Sequence, residues 1–140
     1  MTARTAGRQA PGHDPDEVGT LGHPFQTVDG SKILWYPALR VGQLYVGIAA
    51  EVGALLNVPT GLIDNERLGG SDVELDTFRQ FTQAVYDRYC GTNHLVLHGL
   101  VRGMLLPSIV MLENGGGSIT RTLQDEADLF DDYDLYKRRM

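Results

Sequence analysis

Residues 27–57, TVDGSKILWYPALRVGQLYVGIAAEVGALLN, decide the fold, because the spacing of their apolar side chains changes from the period of a strand to that of a helix. Residues 25–28 and 31–36 flank an Asp-Gly pair at 29–30 that suits the positive φ angles of a type I′ turn, which predicts a β-hairpin. Pro37 ends the second strand and favours a helix that starts directly after it.

The predicted first helix spans residues 38–57 and has two contrasting faces. Its large apolar side chains recur at spacings of three and four, so we expect them to share one buried face, which comprises Val41, Leu44, Tyr45, Ile48, Val52, Leu55 and Leu56. The opposite face is smooth and is built from Gln43, Gly47, Ala50 and Ala54. A glycine inside a helix costs about 1 kcal/mol relative to alanine, so we expect this face to be closely covered, either by the third helix or by a second subunit.

A loop and a second helix are predicted next. Residues 58–72 are rich in Gly and Pro and predict one long loop. The second helix should begin between residues 73 and 76 and end at 89, because Ser71 and Glu74 fit a capping box and apolar side chains follow at helical spacing.

The predicted third helix, residues 93–113, is apolar around most of its circumference and should therefore be central. Pro107 is expected to kink it or to split it near Leu106. A two-stranded hairpin is marginally stable alone, so we expect Trp35 to pack as a lid over the open edge of the helices. The sequence thus predicts a mainly α protein: a small three- to four-helix domain preceded by a short β-hairpin.

Length and charge limit the classes of function. A chain of 140 residues with 42% hydrophobic content fits one core, and its formal charge of −6 argues against nucleic-acid binding and favours a basic partner. The single cysteine, Cys90, cannot form an internal disulfide, and the first 22 residues lack a secretory apolar stretch. We therefore expect a cytoplasmic protein.

The longest apolar stretch, residues 95–112, approaches the length of a membrane span. His98 and Arg102 lie near its middle, and a charge at the centre of a bilayer costs roughly 2.5 to 3.5 kcal/mol on insertion scales. We therefore interpret it as a buried helix of a soluble protein with no membrane contact.

Three segments differ in composition: a predicted disordered tail at 1–22, a single α-rich domain at 23–117 and an acidic-aromatic segment at 118–140. In the last segment, six acids between residues 125 and 134 surround apolar side chains. This pattern suits a segment that folds onto a basic, apolar groove of a partner, and it equally suits a helix that docks on its own domain. Mutual repulsion of the acids favours a peripheral segment that binds in trans.

The sequence CGTNHLVLHGLVR, residues 90–102, places Cys90, His94, His98 and Arg102 at intervals of four. On an unbroken helix two histidines four residues apart can share a metal ion. Here a leucine, rather than a general-base glutamate, follows His94, and a glycine separates Cys90 from the helix. Two secure ligands are fewer than a zinc site requires, so we predict neither a metal nor another cofactor.

We interpret His94, His98 and Arg102 as the polar stripe of a largely buried helix, which faces water or pairs with acidic residues of a neighbour. The alternative is a small enzyme or ligand-binding module that uses these three side chains. That alternative requires them to line a cleft of substrate size.

Several short motifs resemble a family of small actinobacterial proteins that is known only as a domain of unknown function. They are LWYP (34–37), GQLYVG (42–47), NVPTGL (57–62), LDTFRQF (75–81) and RYCGTNHLVLHGL (88–100). The resemblance covers about residues 33–117 and implies a compact helical domain behind a short β element. It implies no activity, cofactor or catalytic residue.

The hypothesis we favour is an interaction protein that binds a protein partner, as an accessory, immunity-type or assembly subunit. A homodimer is an open alternative. The candidate binding residues lie on the third helix and in the C-terminal segment: His94, His98, Arg102, Phe130, Tyr133 and Tyr136.

Overall fold

The computed structural model describes residues 22–121 and 127–140. The predicted disordered tail, residues 1–22, lies outside the described residues except for Gly22. Within the described ranges the chain is mainly α with a small sheet, as predicted. In chain order its elements are β1 (Phe25–Thr27), β2 (Ile33–Trp35), α1 (Leu39–Leu56), β3 (Leu62–Asn65), β4 (Gly70–Val73), α2 (Leu75–Gly91), α3 (Leu95–Asn114) and α4 (Ala127–Arg139).

The strands form one four-stranded sheet in the order β2-β1-β4-β3. β1 pairs antiparallel with β2, which confirms the predicted hairpin, and it pairs parallel with β4, where Phe25 lies opposite Ser71. β3 and β4 pair antiparallel. The hairpin is therefore half of a larger sheet.

The prediction of one long loop over residues 58–72 is wrong, because β3 and the first three residues of β4 lie within it. Asn65 holds their tight turn: its carbonyl oxygen accepts from the Gly69 backbone N–H at 2.9 Å, and its side-chain oxygen accepts from the Leu68 N–H at 3.1 Å. The strand sequences LIDN and GSDV are poor in β-branched and aromatic residues, so local propensity does not reveal them. Pairing with β1 stabilises β4 despite this low strand propensity.

The hairpin turn also differs from the predicted type I′ geometry. Gly30 has a φ of +75°, but Asp29 does not share the positive φ that a type I′ turn requires. Instead the Asp29 carboxylate accepts hydrogen bonds from the Thr27 hydroxyl and from the backbone N–H and hydroxyl of Ser31. These bonds, led by that from Thr27, lower the pKa of Asp29 to about 2.

Helix α3 is central, as predicted, and packs against α2, α1, α4 and β2. It runs without a break through Pro107, which excludes one of the two predicted alternatives, the split near Leu106, while the kink stays a prediction. The helix begins at Leu95 rather than at residue 93, and the ring nitrogen Nδ1 of His94 caps it by accepting from the Leu97 N–H at 3.2 Å.

The predicted capping box at the start of α2 is only half correct. The Glu74 carboxylate accepts from the Thr77 backbone N–H at 2.9 Å and is the N-cap. Ser71 belongs to β4 instead, and its hydroxyl hydrogen-bonds His23 Nε2 at 2.9 Å. Because Ser71 lies in a strand and bonds His23, it does not complete the capping box.

The predicted buried face of α1 is only partly correct, since Tyr45 is buried and Val52 and Leu56 are half-buried, but its other members are exposed. The helix buries Gly42, Tyr45, Ala49 and Gly53, whereas the large apolar residues Val41, Leu44, Ile48 and Leu55 are exposed. A side chain at Gly42 would overlap His23, and a Cβ at Gly53 would lie 2.9 Å from the Val58 carbonyl oxygen. The small residues are therefore what lets α1 sit close to the rest of the chain.

The predicted smooth face of α1, Gln43, Gly47, Ala50 and Ala54, is not covered by the described part of this chain. A Cβ added at Gly47 would meet nothing within 4 Å. The third helix is thus excluded as its cover, and the second-subunit alternative stays a prediction.

The C-terminal segment, of which residues 118–121 and 127–140 are described, ends in α4, which packs against α3 with Leu129 fully buried. This differs from the expectation that the segment stays peripheral. Its exposed acids, Asp131 and Asp134, point away from the core, so compaction does not force them together.

Candidate functional site

A groove of about 520 Å³ opens between α1, α3 and the end of α4. It is lined mostly by apolar side chains, and Arg139 is the charged residue at its rim. Its lining includes Trp35, Val41, Leu44, Ile48, Pro107 and Tyr136. Its volume falls within the range of small-molecule and peptide sites.

The α1 wall of the groove is the stripe that was predicted to be buried. The exposed fractions of Val41, Leu44 and Ile48 are 51%, 64% and 39%. Their spacing of three and four residues places them on one side of the helix. A continuous apolar stripe on a soluble protein's surface is a feature of interaction sites rather than of ordinary surface.

The floor of the groove is rigid because aromatic and polar contacts fix it. Trp35 stacks on Phe25 with ring centroids 5.4 Å apart and meets Tyr45 edge-on at 5.6 Å. The Tyr45 hydroxyl hydrogen-bonds the Ser108 hydroxyl at 2.5 Å, and burial raises the pKa of Tyr45 so that it stays neutral. Trp35 therefore packs on the core, as expected of a lid, while its remaining surface lines the groove.

The α3 wall contains Gly103 and Pro107, which are four residues apart. Because proline has no N–H, the Gly103 carbonyl lacks its helical donor at this point. Leu100 and Val96 continue the same side of α3 toward its start and are exposed. The apolar surface of α3 thus extends beyond the groove.

The histidines and arginine predicted as a site do not line this groove. His94 caps α3, and His98 stacks on Tyr89 with ring centroids 3.8 Å apart. Arg102 donates to the Tyr89 hydroxyl at 3.2 Å and to the Asp132 carboxylate at 2.5 Å. His98 and Arg102 are thus brought together around Tyr89, and Arg102 meets an acidic neighbour, as the polar-stripe interpretation expects.

The aromatic residues predicted as binding residues divide into two groups. The Phe130 ring lies under the Arg121 guanidinium at 3.6 Å, and the Tyr133 hydroxyl donates to the Glu113 carboxylate. Burial and the Glu113 carboxylate raise the pKa of Tyr133. Only Tyr136 of the three lines the groove.

A buried polar pair, His23 and Ser71, lies away from the groove. Asp64 is opposite Ser71 on the neighbouring strand, so the three residue types of a hydrolytic triad are close together. His23 and Ser71 are both buried, however, and His23 Nδ1 has no hydrogen-bond partner among the described residues. A substrate has no access to the serine, and burial lowers the pKa of His23, so we interpret the pair as structural.

Two further features of the described residues are their potential metal ligands and their apolar helices. These residues contain no group of three or more His, Cys, Asp or Glu side chains that could hold a metal ion. Helices α1 and α3 are long and apolar enough to cross a membrane by length and composition, a criterion that core helices of soluble proteins also meet. The two differ in burial, since 56% of the α3 window but only 22% of the α1 window is inside the structure.

The fold and groove define a small, mainly α domain that carries an apolar cleft beside a four-stranded sheet. Residues 22–140 match the family of unknown function DUF6086, and the chain belongs to that family. The match includes α4, so the C-terminal helix is part of the family's domain. No curated protein and no solved structure matches the chain.

Proposed function

We propose that this protein is a protein-binding module whose groove between α1, α3 and α4 receives an apolar face of a partner helix. The observation that carries the proposal is the exposure of Val41, Leu44 and Ile48 beside the groove. Burial of large apolar side chains is the main favourable contribution to the free energy of association. A partner that covers these exposed side chains therefore binds with a favourable free energy.

The shape and chemistry of the groove suit a helix better than a polar ligand. Helix-in-groove recognition uses apolar anchors at helical spacing and few polar contacts. Along the α1 wall the apolar side chains alternate at three and four residues, which is the spacing that a second helix can match with its own anchors. Because the contacts of Trp35 and Tyr45 already fix these side chains, their ordering on binding costs little conformational entropy.

The C-terminal segment contributes to this groove in cis. Phe130 and Tyr133 contact this chain's own residues, so we no longer assign them to an outside partner. Tyr136 and Arg139 form part of the rim, and they are the residues of the segment that a bound helix would touch.

We place this activity in the cytoplasm, with the protein acting as an accessory or assembly subunit. Cys90 is the single cysteine of the chain and cannot form an intrachain disulfide, which suits a reducing compartment. The actinobacterial source stays a prediction from the sequence motifs. The enzyme alternative is less well supported, because His94, His98 and Arg102 do not line the groove.

The experiment compares partner capture from the native host by the wild-type chain and by Leu44→Arg. A charge at Leu44 should remove the specific partner, whereas Leu95→Arg, at an 84% exposed apolar residue outside the groove, should retain it. The captured protein is then titrated against the wild type while the emission of Trp35, the chain's single tryptophan, is recorded. A partner that covers Trp35 should shift the Trp35 emission to shorter wavelength. If both variants capture the partner equally and the emission does not shift, the groove is not the binding site.

A further inference from the structure

We infer that a second copy of this chain supplies the helix, so that two α1 helices pair antiparallel across a two-fold axis along their exposed stripes. This inference rests on the proposed function, because it names the partner that occupies the same groove.

The exposed side of α1 has the spacing of a helix–helix seam. Val41, Leu44, Ile48, Glu51 and Leu55 follow one another at intervals of three, four, three and four residues. This is the repeat that places side chains along one line of contact between two packed helices. Every member of the series is exposed in the single chain.

The two charged residues of α1 indicate which charges a partner helix must carry. Arg40 and Glu51 are the two charged residues of the helix, and eleven residues, or about three turns, separate them, so they lie on nearly the same side. No salt bridge or side-chain hydrogen bond to either is found in residues 22–121 and 127–140. Opposite charges on either side of the Leu44–Ile48 part of the seam are complementary to a second copy of the same seam.

The charges also select the direction of the pair. In a parallel pair Arg40 would meet Arg40 and Glu51 would meet Glu51, which is unfavourable. In an antiparallel pair with its two-fold axis between Leu44 and Ile48, Leu44 packs on Ile48 of the partner subunit. Arg40 then lies beside Glu51 of the partner subunit at both ends of the contact, as an isologous interface requires.

Gly47 lies on the flank of the stripe, about 60° around the helix from Leu44, and leaves room beside this axis. It has no side chain, and a Cβ placed there meets nothing within 4 Å, so a partner helix can approach α1 closely at its middle. Without such a contact, a glycine inside an exposed helix only lowers the helix propensity.

A lipid surface is the main competing occupant of the stripe. Glu51 lies within the series between Ile48 and Leu55, so inserting the stripe into hydrocarbon would desolvate a carboxylate without a partner. In the antiparallel pair the same carboxylate gains an arginine. The observations therefore favour the second copy.

The test is a charge exchange on the full chain, with dimerisation measured by sedimentation equilibrium and by the concentration dependence of Trp35 emission. Arg40→Glu and Glu51→Arg should each weaken the dimer about tenfold, because each replaces two attractive contacts by two repulsive ones. The double variant R40E/E51R should restore the wild-type dissociation constant to within about twofold. Within one chain the two positions are about 16 Å apart, beyond the screening length at 0.1 M salt, so rescue can arise only between subunits.

Three results would overturn the inference. They are a wild-type chain that stays monomeric at millimolar concentration, single variants that dimerise like the wild type, and a double variant that is not rescued. Binding of the monomer to neutral lipid vesicles that Leu44→Arg abolishes would assign the stripe to a membrane instead. The proposed function is judged separately, because capture of a different partner that Leu44→Arg abolishes and R40E/E51R leaves intact would retain the groove and reject only the second copy.

Discussion

Arg102 on α3 and Asp132 on α4 form a salt bridge with an N–O distance of 2.5 Å, and the same guanidinium donates to the Tyr89 hydroxyl on α2. One side chain therefore joins three helices. It also explains why an acidic C-terminal helix can lie on its own domain, since one of its carboxylates meets a cation there.

We expect loss of this contact to loosen α4 without unfolding the domain. The side chains of Arg102 and Asp132 are 26% and 50% exposed, and exposed pairs contribute about 0.2 to 1 kcal/mol, so Asp132→Asn should lower the free energy of unfolding by that amount. Amide hydrogen exchange over residues 129–139 should accelerate. Asp131→Asn, at the neighbouring exposed acid, is the control, and equal exchange in both variants would contradict the role assigned to Asp132.

The packing of α4 predicts a larger effect at its buried side. Leu129 is fully buried against the core, so Leu129→Ala should lower the free energy of unfolding by about 2 to 5 kcal/mol. Leu135, on the same helix, is 42% exposed, and Leu135→Ala should cost less than about 1 kcal/mol. Urea unfolding of both variants measures the difference, and indistinguishable midpoints would show that α4 is not part of the core in solution.

The sequence predicts the elements with strong periodicity and misses those that depend on tertiary pairing. The hairpin, α2 and the central α3 follow from alternation, caps and apolar spacing. Strands β3 and β4 do not, because residues such as Asp64 and Asp72 have low strand propensity. Strand β4 is held by pairing with β1, and β3 is held by pairing with β4.

The candidate site was hidden for a related reason. The large apolar side chains on one side of α1 have the periodicity of a buried face, and periodicity cannot tell whether the core packs against that face or against a neighbouring side of the helix. The core accepts Gly42 and Gly53, because they allow a close approach to His23 and to the Val58 carbonyl. Gly42 and Gly53 mark the packed side of α1, but Gly47 is exposed, so the glycines of the sequence do not by themselves identify that side.

The different surroundings of Gly42 on α1 and Gly99 on α3 predict opposite effects for their substitution by alanine. A Cβ at Gly42 would overlap the His23 side chain, so Gly42→Ala should destabilise the protein by about 1 to 3 kcal/mol despite the better helix propensity of alanine. A Cβ at Gly99 would meet nothing within 4 Å, so Gly99→Ala should stabilise it by up to about 1 kcal/mol. Thermal unfolding of the two variants checks the sign of each effect, and stabilisation by Gly42→Ala would contradict the close contact of α1 with His23.

The buried imidazole of His23 predicts a pH dependence of stability. Burial lowers its pKa below the ordinary value of 6.5, with Asp64 opposing the shift, so the folded state keeps His23 neutral where the unfolded state binds a proton. The unfolded state then binds more protons below about pH 6.5, and linkage makes stability fall as the pH falls through that value toward the lower folded pKa. Above pH 6.5 both states are neutral at His23, and its contribution is constant.

Urea unfolding of the wild type and of His23→Gln between pH 5 and pH 7.5 tests this prediction. Glutamine keeps a side chain that can hydrogen-bond Ser71 but has no proton to bind, so the variant should lose the part of the slope that His23 supplies. Asp29 does not interfere, because its pKa is about 2 in the folded state and its linkage acts below the measured range. Equal slopes for the two proteins would show that His23 is not the group that titrates.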